Sequence, residues 1–579
     1  MTESYSIRQK LELLRAQLDN ERSTFKAHWR DLSDYIRPRR ARFFTSDRNK
    51  GDKRNQKIID PTGTMASRTL RSGMMSGVTS PARPWFRLTT PDPDLAEFGQ
   101  VRQWLHDTAD RMNAVFLKSN LYNVLPILYG DMGDFATAAM FMEEDFTGEV
   151  VRFYPFPIGS YMIAQNDKLQ VDVFFREFEM TVRQIVSRFA KRDANGNIDW
   201  SNISNHVRYM WEQKNTEAWV QVCHAIIPND DYNPDKIEAK FKRYSSIYYE
   251  QGATNTNGSQ TSMTGGSDGK LLNHSGYDYF PALCPRWEVS GEDVYGTDCP
   301  GMTVLGDIKQ LQLGEKRVAQ AIEKMVNPPM VGSTVLRTAK ASILPGDITY
   351  VDERAGLQGF RPAHEINFNV QAVEGKQEQI RNRIKRGYYE DLFLMLASSD
   401  RRQITAREID ERHEEKLLAL GPVLEQLNQD LLDPLIDSTF AIMLKQGLIP
   451  PPPEELSGMN LKVEYISIMA QAQKLVGVGS IERFTGFVSN VASVNPETLD
   501  KLDLDQLIDV YGNLTSIPPG IVRTDEDASN IRAQRAQAQQ AQAQIQAVGQ
   551  ASSAAKNLSQ TDLSGDNALN RLLGVPGGG

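Results

Sequence analysis

The sequence predicts an α+β protein that is mainly α-helical, and three observations support this class. Apolar residues recur every three or four positions through most of the chain, a spacing that is typical of helices with one buried face. Residues 146–285 are instead rich in β-branched and aromatic residues, which favour strands. With 579 residues, 40% of them hydrophobic and 24% charged, the chain resembles ordinary folded proteins and is long enough for several domains.

The first 60 residues predict helix followed by a basic run. The spacing of Leu11, Leu14 and Leu18 begins two amphipathic stretches. Four arginines then precede Phe43 and Phe44, and they are Arg37, Arg39, Arg40 and Arg42. Such a run suits contact with nucleic acid, but a solvated helix end or a subunit contact is the favoured interpretation.

Residues 61–135 predict further helices around an extended segment. Residues 65–75 have helical spacing, and glycine predicts breaks at Gly73 and Gly77. Prolines keep residues 81–93 extended, and helix returns from Phe98 onward.

Residues 146–285 predict a mainly antiparallel β domain. The expected strands are residues 149–156, 160–164, 169–178, 206–213, 218–227 and 243–251. The stretch 252–270 is rich in Gly, Ser, Thr and Asn and predicts a mobile loop, because it cannot build a core.

A hairpin-like stalk with a small tip is predicted between residues 301 and 397. Its first helix spans residues 301–326 and ends at Asn327-Pro328. Residues 327–368 carry short strand signals, after which a basic helix over residues 369–397 brings the chain back.

A long helix is predicted over residues 404–449. Thr405 and Glu408 have the spacing of a capping box. Five leucines then alternate steps of three and four, and they are Leu417, Leu420, Leu424, Leu427 and Leu431. This seam must bury against another helix or another subunit. Pro422 and Pro434 predict kinks, because proline removes a backbone donor and crowds the preceding turn.

The C-terminal part predicts short helices and then a polar helix. Prolines 450–453 form a stiff spacer, and residues 461–525 have helical stretches with Gly and Pro breaks. Residues 530–556 are almost pure Ala and Gln, which favour helix but cannot stabilise a fold alone. Copies of this helix associate, or the segment is a disordered tail; the sequence leaves both open.

Composition and motifs argue against several classes of function. No apolar run approaches the roughly 20 residues that cross a bilayer, and the polar start predicts a protein made and kept in the cytoplasm. Three cysteines are too few for a disulfide framework or a zinc site. The net charge of −9 argues against tight binding of nucleic acid. No catalytic motif is present, so we predict no enzyme, catalytic residue, metal or cofactor.

Three stretches resemble the head-to-tail connector, or portal, proteins of short-tailed double-stranded DNA bacteriophages. QITAREIDERHEEKLLALGPVLEQLNQDLLDPLIDSTFAIMLKQGLIP (residues 403–450) resembles the family's long wing helix. RTLRSGMMSGVTSPARPWFRLTTPD (68–92) resembles its N-terminal signature, and residues 291–332 resemble its first stem helix leading into the clip. The resemblance covers most of residues 60–450 and lies in long patterned stretches and their order.

The resemblance implies a portal fold with an α/β wing, a helical stem hairpin carrying a small α/β clip, a long kinked wing helix, a helical crown and a C-terminal barrel. Its expected parts are the helical wing (1–145), the β-rich wing (146–290), the first stem helix (291–326), the clip (327–368), the second stem helix (369–397), the tunnel loop (398–403), the long wing helix (404–449), the crown (450–525) and the C-terminal Ala/Gln-rich helix with a loose tail (526–579).

The resemblance also implies a function. The chain would form a homo-oligomeric ring, a dodecamer in the family pattern, at one capsid vertex of the virion. Double-stranded DNA would pass through it during packaging and ejection. The terminase packaging motor, tail adaptor, scaffold and major capsid proteins would be its partners, with no membrane and no cofactor. An acidic chain with local basic patches suits a channel through which DNA slides.

Candidate site residues follow from this placement. The expected tunnel residues are Ser398, Ser399, Asp400, Arg401 and Arg402 in the loop, and Lys309, Lys316, Lys324, Arg381, Arg383, Lys385 and Arg386 on the stem. The leucine seam is the candidate subunit interface. Two alternatives remain: a helical virion scaffold without a channel, and a multidomain hydrolase that uses the acidic run Glu143, Glu144 and Asp145.

Overall fold

The structure is a computed structural model in which the chain forms two compact units, residues Met1–Gln473 and Lys474–Gly579. The described residues are 7–43, 51–92, 95, 99–146, 148–192, 196–251, 270–332, 361–363, 370–398, 420–456, 461–467, 481, 484–492, 501–514 and 525–559. The fold is mixed α and β and mainly α, as the sequence predicts.

The helices of the described residues alternate with the strands along the chain. In order they are α1 (Ile7–Tyr35), α2 (Thr62–Gly77), α3 (Gly99–Lys118), α4 (Leu121–Phe135), α5 (Val182–Phe189), α6 (Asn205–Glu212), α7 (Pro300–Val326), α8 (Val370–Gly387), α9 (Glu390–Ser398), α10 (Gly421–Leu427), a π-helical segment (Asn428–Leu432), α11 (Asp433–Lys445), α12 (Leu504–Leu514) and α13 (Asp525–Ser559).

The strands are short and pair antiparallel. They are β1 (Phe86–Thr89), β2 (Ala139–Asp145), β3 (Val150–Phe156), β4 (Tyr161–Gln165), β5 (Val171–Thr181), β6 (Lys191–Arg192), β7 (Ile198–Asp199), β8 (Trp219–Pro228), β9 (Tyr244–Glu250), β10 (Leu271–Tyr277), β11 (Ala282–Leu283), β12 (Met330–Val331), β13 (Arg361–Pro362) and β14 (Lys462–Tyr465). The main sheet has the order β10-β9-β8-β5-β4, and a second has the order β11-β2-β3. Two-stranded pairs join β1 to β14, β6 to β7 and β12 to β13.

One hydrophobic core joins the helices to the second sheet. Trp29 of α1, Leu70 of α2, Leu128 of α4 and Ile308 of α7 are all fully buried in it. Because burial of apolar surface is the main favourable term in folding, this core fixes the base of the predicted stalk to the rest of the first unit. The predicted mobile loop at 252–270 lies, except for its last residue, outside the described residues.

The expected strand over residues 206–213 is wrong, because these residues form α6. The Ser204 hydroxyl accepts a hydrogen bond from the Val207 amide at 3.3 Å and caps the helix. A cap satisfies an otherwise unpaired amide, and Val207 is buried on the inner face. Helix α5 also follows directly on β5, where Thr181 and Gln184 form a capping box.

The expected break at Gly73 is wrong as well, because α2 continues through it to Gly77. A Cβ atom on Gly73 would lie 2.3 Å from the Phe393 side chain. Glycine is therefore needed here for close packing between α2 and α9, and not to end a helix.

The second predicted stem helix consists of two helices. Helix α8 ends at Gly387, and α9 begins at Glu390. Tyr389 between them has a φ of 54°, a left-handed conformation that a bulky residue adopts only under structural constraint. The preceding residue, Tyr388, is buried, and its hydroxyl donates to Asp134 at 2.9 Å.

The predicted long wing helix is described from residue 420 onward. Its α-helical hydrogen bonding changes to the π pattern at Asn428–Leu432, directly before Pro434. Pro422 lies in the first turn of α10, where no helical bond needs its N–H. Pro434 follows the π segment within continuous helical backbone, so its missing N–H removes one helical bond there. The kink itself stays a prediction, and the capping box at Thr405 lies outside the described residues.

The leucine seam is buried inside the subunit. Leu420, Leu424, Leu427 and Leu431 are at most 7% exposed and belong to the main core. The spacing predicted burial against another helix or another subunit, and these four side chains take the first alternative. Their assignment to a subunit interface is therefore wrong, while Leu417 lies outside the described residues.

The second unit contains the Ala/Gln-rich helix. Helix α13 spans Asp525–Ser559, so residues 530–556 are helical, and the association of copies stays a prediction. Arg532 makes two bonds to Asp505 of α12, at 2.6 and 2.7 Å. Ile545 and Val548 of α13 are about 70% exposed, at 72% and 68%, so little of this helix is buried by its own chain.

Candidate functional site

The stem hairpin, defined as α7, α8 and the β12–β13 pair, carries most of the predicted tunnel residues. Helices α7 and α8 pack against each other, and β12 pairs antiparallel with β13 beyond them. Antiparallel pairing at this point brings the two ends of the excursion together. The predicted strands at 334–337 and 348–351 lie outside the described residues.

The base of the hairpin is buried and its far half is exposed. Ile308 and Leu311 of α7 and Ile384 of α8 are at most 1% exposed. Farther along α7, the apolar side chains of Ile322, Met325 and Val326 are 42%, 45% and 81% exposed, and Met330 and Val331 of β12 continue this surface. We call these five residues the stem-tip surface.

Arg381 is held by acidic residues of its own subunit. It bonds to Asp60 at 2.9 Å, to Glu315 at 2.6 Å and to Glu378 at 3.2 Å. These bonds, that to Asp60 foremost, raise the pKa of Arg381 above its ordinary value. The Gln312 side chain also bonds the backbone of Ile59 and Asp60, so the segment before α2 is tied to the stem.

The other predicted stem cations fall into two groups. Arg383 pairs with Asp307 at 2.7 Å, and Lys309 pairs with Asp31 at 2.6 Å. Four more have no acidic partner within the part of the chain that the structure describes, and they are Lys316, Lys324, Lys385 and Arg386. Among the predicted stem cations, these four are therefore the ones whose charge no described residue neutralises.

Of the predicted tunnel loop, the structure describes only the first residue. Ser398 is the last residue of α9. Ser399, Asp400, Arg401 and Arg402 lie outside the described residues, so their role stays a prediction.

A buried polar cluster that the sequence did not predict fixes the base of the stem. Asp134 of α4 accepts bonds from Ser67 at 2.8 Å, from Tyr388 at 2.9 Å and from Arg37 at 3.2 Å. Burial raises the pKa of Asp134 although Arg37 opposes the shift. The same arginine bonds Asp131 at 3.0 Å. The sequence does carry a signal for this cluster, because α4 is mainly apolar but contains the two carboxylates Asp131 and Asp134. Buried charges need partners, so these two residues predict cations or hydrogen-bond donors close by.

This cluster changes the interpretation of the basic run after α1. Arg37 and Arg40 point toward Asp131, and Arg40 reaches it at 2.6 Å. Neither side chain is therefore a solvated helix end. Within the run, Arg37 and Arg40 therefore anchor the end of α1 to α4.

A second unpredicted ion pair connects the long helix to the strands. Arg286 bonds Asp430 of the π segment through Nε at 3.0 Å and Nη2 at 3.1 Å. The side chains are 3% and 8% exposed. Arg286 also donates to the Gln165 side chain at 3.0 Å and to the Leu169 carbonyl at 3.1 Å. A bidentate pair of this kind fixes both distance and orientation.

The acidic run that suggested a hydrolase does not form one site. Glu143, Glu144 and Asp145 are the last three residues of β2. Successive strand residues point to opposite faces, and Glu143 pairs with Arg188 while Glu144 pairs with Lys445. Among the described residues no group of His, Cys, Asp and Glu is arranged to hold a metal ion.

The remaining polar and thiol groups comprise a surface pair and three buried cysteines. His106 and Asp110 are exposed and 3.6 Å apart on α3, a surface pair. The three cysteines are free and buried, and burial raises the pKa of Cys223 to about 12. Within the described ranges, no helix has the length and apolar character needed to cross a bilayer.

Comparison with known proteins identifies the family. A family model described as "Bacteriophage head to tail connecting protein" matches residues 8–522. The chain is 47% identical over 563 residues to a "Portal protein" of Salmonella phage epsilon15, with 97% of each chain covered. It is 41% identical over 553 residues to a "Probable portal protein" of Bordetella phage BPP-1, with 96% of this chain and 95% of that protein covered. The chain therefore belongs to the family of bacteriophage head to tail connecting proteins.

Proposed function

We propose that this chain is a portal subunit that assembles into a closed ring, a dodecamer, at one vertex of the capsid. The ring is the conduit for packaging and ejection of double-stranded DNA. It is also the platform on which the terminase motor and the tail adaptor dock, beside scaffold and major capsid proteins. Membership of the connecting protein family carries this proposal.

The stem-tip surface supports assembly of identical copies. Five apolar side chains on α7 and β12 are exposed in one subunit, and an open groove of about 660 Å³ lies between α7 and α8. Val318 and Ile322 line this groove on one side, and Gly375 lines it on the other. Ile322, Met325 and Val326 share one face of α7 at helical spacing, and an exposed apolar stripe of this kind favours an interface. In a ring every subunit meets a neighbour on both sides, so the same surface is covered in every copy.

The channel surface is proposed from charge. Lys316, Lys324, Lys385 and Arg386 lack acidic partners among the described residues and are the stem residues best suited to transient phosphate contact. Lys309, Arg381 and Arg383 remain candidates, but their charges are already balanced within the subunit. The loop Ser398–Arg402 completes the proposed lining. Sparse positive charge in a chain of net charge −9 limits the grip on DNA that must move.

The expected parts of the portal fold remain proposals for this chain. The stem hairpin corresponds to stem and clip, the β-rich region to the wing, and residues 450–525 to the crown. Helix α13 corresponds to the barrel, because its exposed Ile545 and Val548 gain a partner when copies associate. A helical virion scaffold without a channel is the alternative, and ring imaging separates the two.

Ring assembly is tested by Ile322→Glu in the full-length chain. A charge on the stem-tip surface would be buried without a partner in every interface, so we expect association at least about tenfold weaker than in the unchanged chain. Light scattering measures the mass of each species, and negative-stain class averages show whether rings with an axial hole remain.

The matched control is Ile237→Glu, the same change at a residue that is 93% exposed on a loop before β9. It should leave the rings intact. Filaments or shells without an axial hole from the unchanged chain would support the scaffold alternative. A monomer at every concentration would contradict ring assembly itself.

A further inference from the structure

A basic cavity lies between the segment after α1 and the strands β3 and β5. Its volume is about 350 Å³, and its walls contain Arg39, Arg40, Arg42, Tyr154 and Arg176. This volume lies near the lower end of the range for small-molecule sites, roughly 300–1,000 Å³. Prolines and Phe156 form the rest of the wall, and no carboxylate lines it among the described residues.

The walls are held in place by bonds that do not depend on a ligand. The Arg42 amide donates to the Ile158 carbonyl at 2.9 Å, and the Arg40 guanidinium donates to the Phe156 carbonyl at 2.9 Å. Arg40 is also paired with buried Asp131. The cavity is therefore formed before anything binds.

Arg176 is the residue that points to a ligand. Its guanidinium lies 4.3 Å from the ring centre of Phe156 and 4.0 Å from that of Phe178. Two aromatic faces at these distances fix the plane of the guanidinium and leave its N–H edge for hydrogen bonding. Among the described residues no acceptor bonds this edge, and no acid forms an ion pair with it.

The surroundings of Arg176 are positive. Burial, together with repulsion from Arg42 and Arg188, lowers the pKa of Arg176 to about 10. Arg188 is itself paired with Glu143 at 3.3 Å, so its charge is partly balanced, whereas that of Arg176 is not. A crowded positive charge without a carboxylate is unfavourable unless an anion compensates it.

We propose that this cavity is an anion site that binds a phosphate group through Arg176, with Arg39 and Arg42 at its rim. A phosphate offers several acceptor oxygens to separate guanidinium groups, whereas a carboxylate is satisfied by one fork. The cavity also leaves room for a group attached to the phosphate, and Tyr154, which is 39% exposed, offers that group an aromatic surface. The phosphate comes either from solution or from a nucleotide unit of DNA.

The test uses the full-length protein and three probes at equal ionic strength: inorganic phosphate, deoxyadenosine monophosphate and a DNA duplex. A ligand that binds only the folded state raises the melting temperature with its concentration. We expect a rise with phosphate, and Arg176→Met should weaken binding measured by calorimetry by at least about tenfold. A higher melting temperature with all three probes would show that free phosphate is sufficient for binding. A higher melting temperature with only the nucleotide or only the DNA would show that the group attached to the phosphate is necessary for binding.

Arg243→Met is the matched control. Arg243 also lies over an aromatic ring, 5.8 Å from the centre of Tyr244, but it does not line the cavity. This variant should bind phosphate as the unchanged protein does. Arg176→Lys keeps the charge and the alkyl chain but loses the planar fork, so it should weaken binding even if the methionine variant folds poorly.

Equal phosphate binding by all Arg176 variants would overturn the proposal, as would no response of the unchanged protein to any probe. Acetate that matches phosphate at equal ionic strength would overturn the choice of phosphate and point to a carboxylate of a protein partner.

Discussion

Asp430→Ala is expected to lower the free energy of unfolding by about 3–5 kcal/mol, because it leaves the Arg286 charge buried without its partner. Arg286 would lose two bonds, at 3.0 and 3.1 Å, and could not reach solvent, since its side chain is 3% exposed. The measurement is urea unfolding followed by circular dichroism at a fixed protein concentration, with the midpoint and slope compared.

Two further variants separate the buried charge from a general effect of losing an ion pair. Glu217→Ala removes the partner of Arg183 in a pair whose side chains are both 63% exposed, and it should change stability by no more than about 1 kcal/mol. Replacing Arg286 and Asp430 together by Met and Leu should recover most of the loss. If the Asp430→Ala variant is as stable as Glu217→Ala, other groups must stabilise the buried charge of Arg286.

Gly73→Ala is expected to destabilise the first unit by about 1–3 kcal/mol, because the core has no room for its methyl group. The new Cβ atom would lie 2.3 Å from three atoms of Phe393, including the Cβ atom beside the α9 backbone. This overlap can be removed only if α9 shifts against α2, because rotation of the Phe393 side chain does not move its Cβ atom. Thermal unfolding by calorimetry measures the change.

Gly306→Ala is the matched control within another helix. No atom lies within 4 Å of the position that its Cβ would take, and α7 is helical on both sides. We expect this change to stabilise the protein by about 0.4–1 kcal/mol, because alanine restricts the unfolded chain. A Gly73→Ala variant that is stabilised as much as Gly306→Ala would show that helix propensity, and not packing against Phe393, determines the result at Gly73.

Local signals predicted the elements well where one physical cause dominates. The helix predicted at 301–326 is α7, Pro300–Val326, because its apolar spacing is regular and Asn327-Pro328 ends it. The strand prediction at 206–213 was wrong, because β-branched and aromatic residues describe a preference for half-buried surface and not a backbone shape. Ser204 before that segment was a helix signal of comparable strength.

Periodicity predicted which leucines are buried, but it could not identify what buries them. A regular apolar stripe requires a partner surface, and the same stripe suits a helix of the same chain or a neighbouring copy. Leu427 and Leu431 are fully buried within their own subunit. Ile322, Met325 and Val326 on the far half of α7 also have helical spacing, and the spacing alone could not show that they stay exposed.

Charged residues were the hardest to interpret from sequence. Arg381 meets Asp60, which lies 321 positions away, and only the folded chain shows that this cation is already neutralised. Arg286 and Asp430 are separated by 144 positions. Ion pairs of this kind depend on tertiary distance, which no local pattern encodes.

The stem-tip surface also constrains when and where the subunit can exist. Exposed Met325, Val326 and Met330 are open to any apolar partner until a neighbour covers them. An unassembled subunit is therefore at risk of aggregation in proportion to its concentration, whereas an assembled one is protected by mass action. If subunits are produced only as fast as they assemble, the pool of free subunits stays small. Completed rings are then favoured over partial ones.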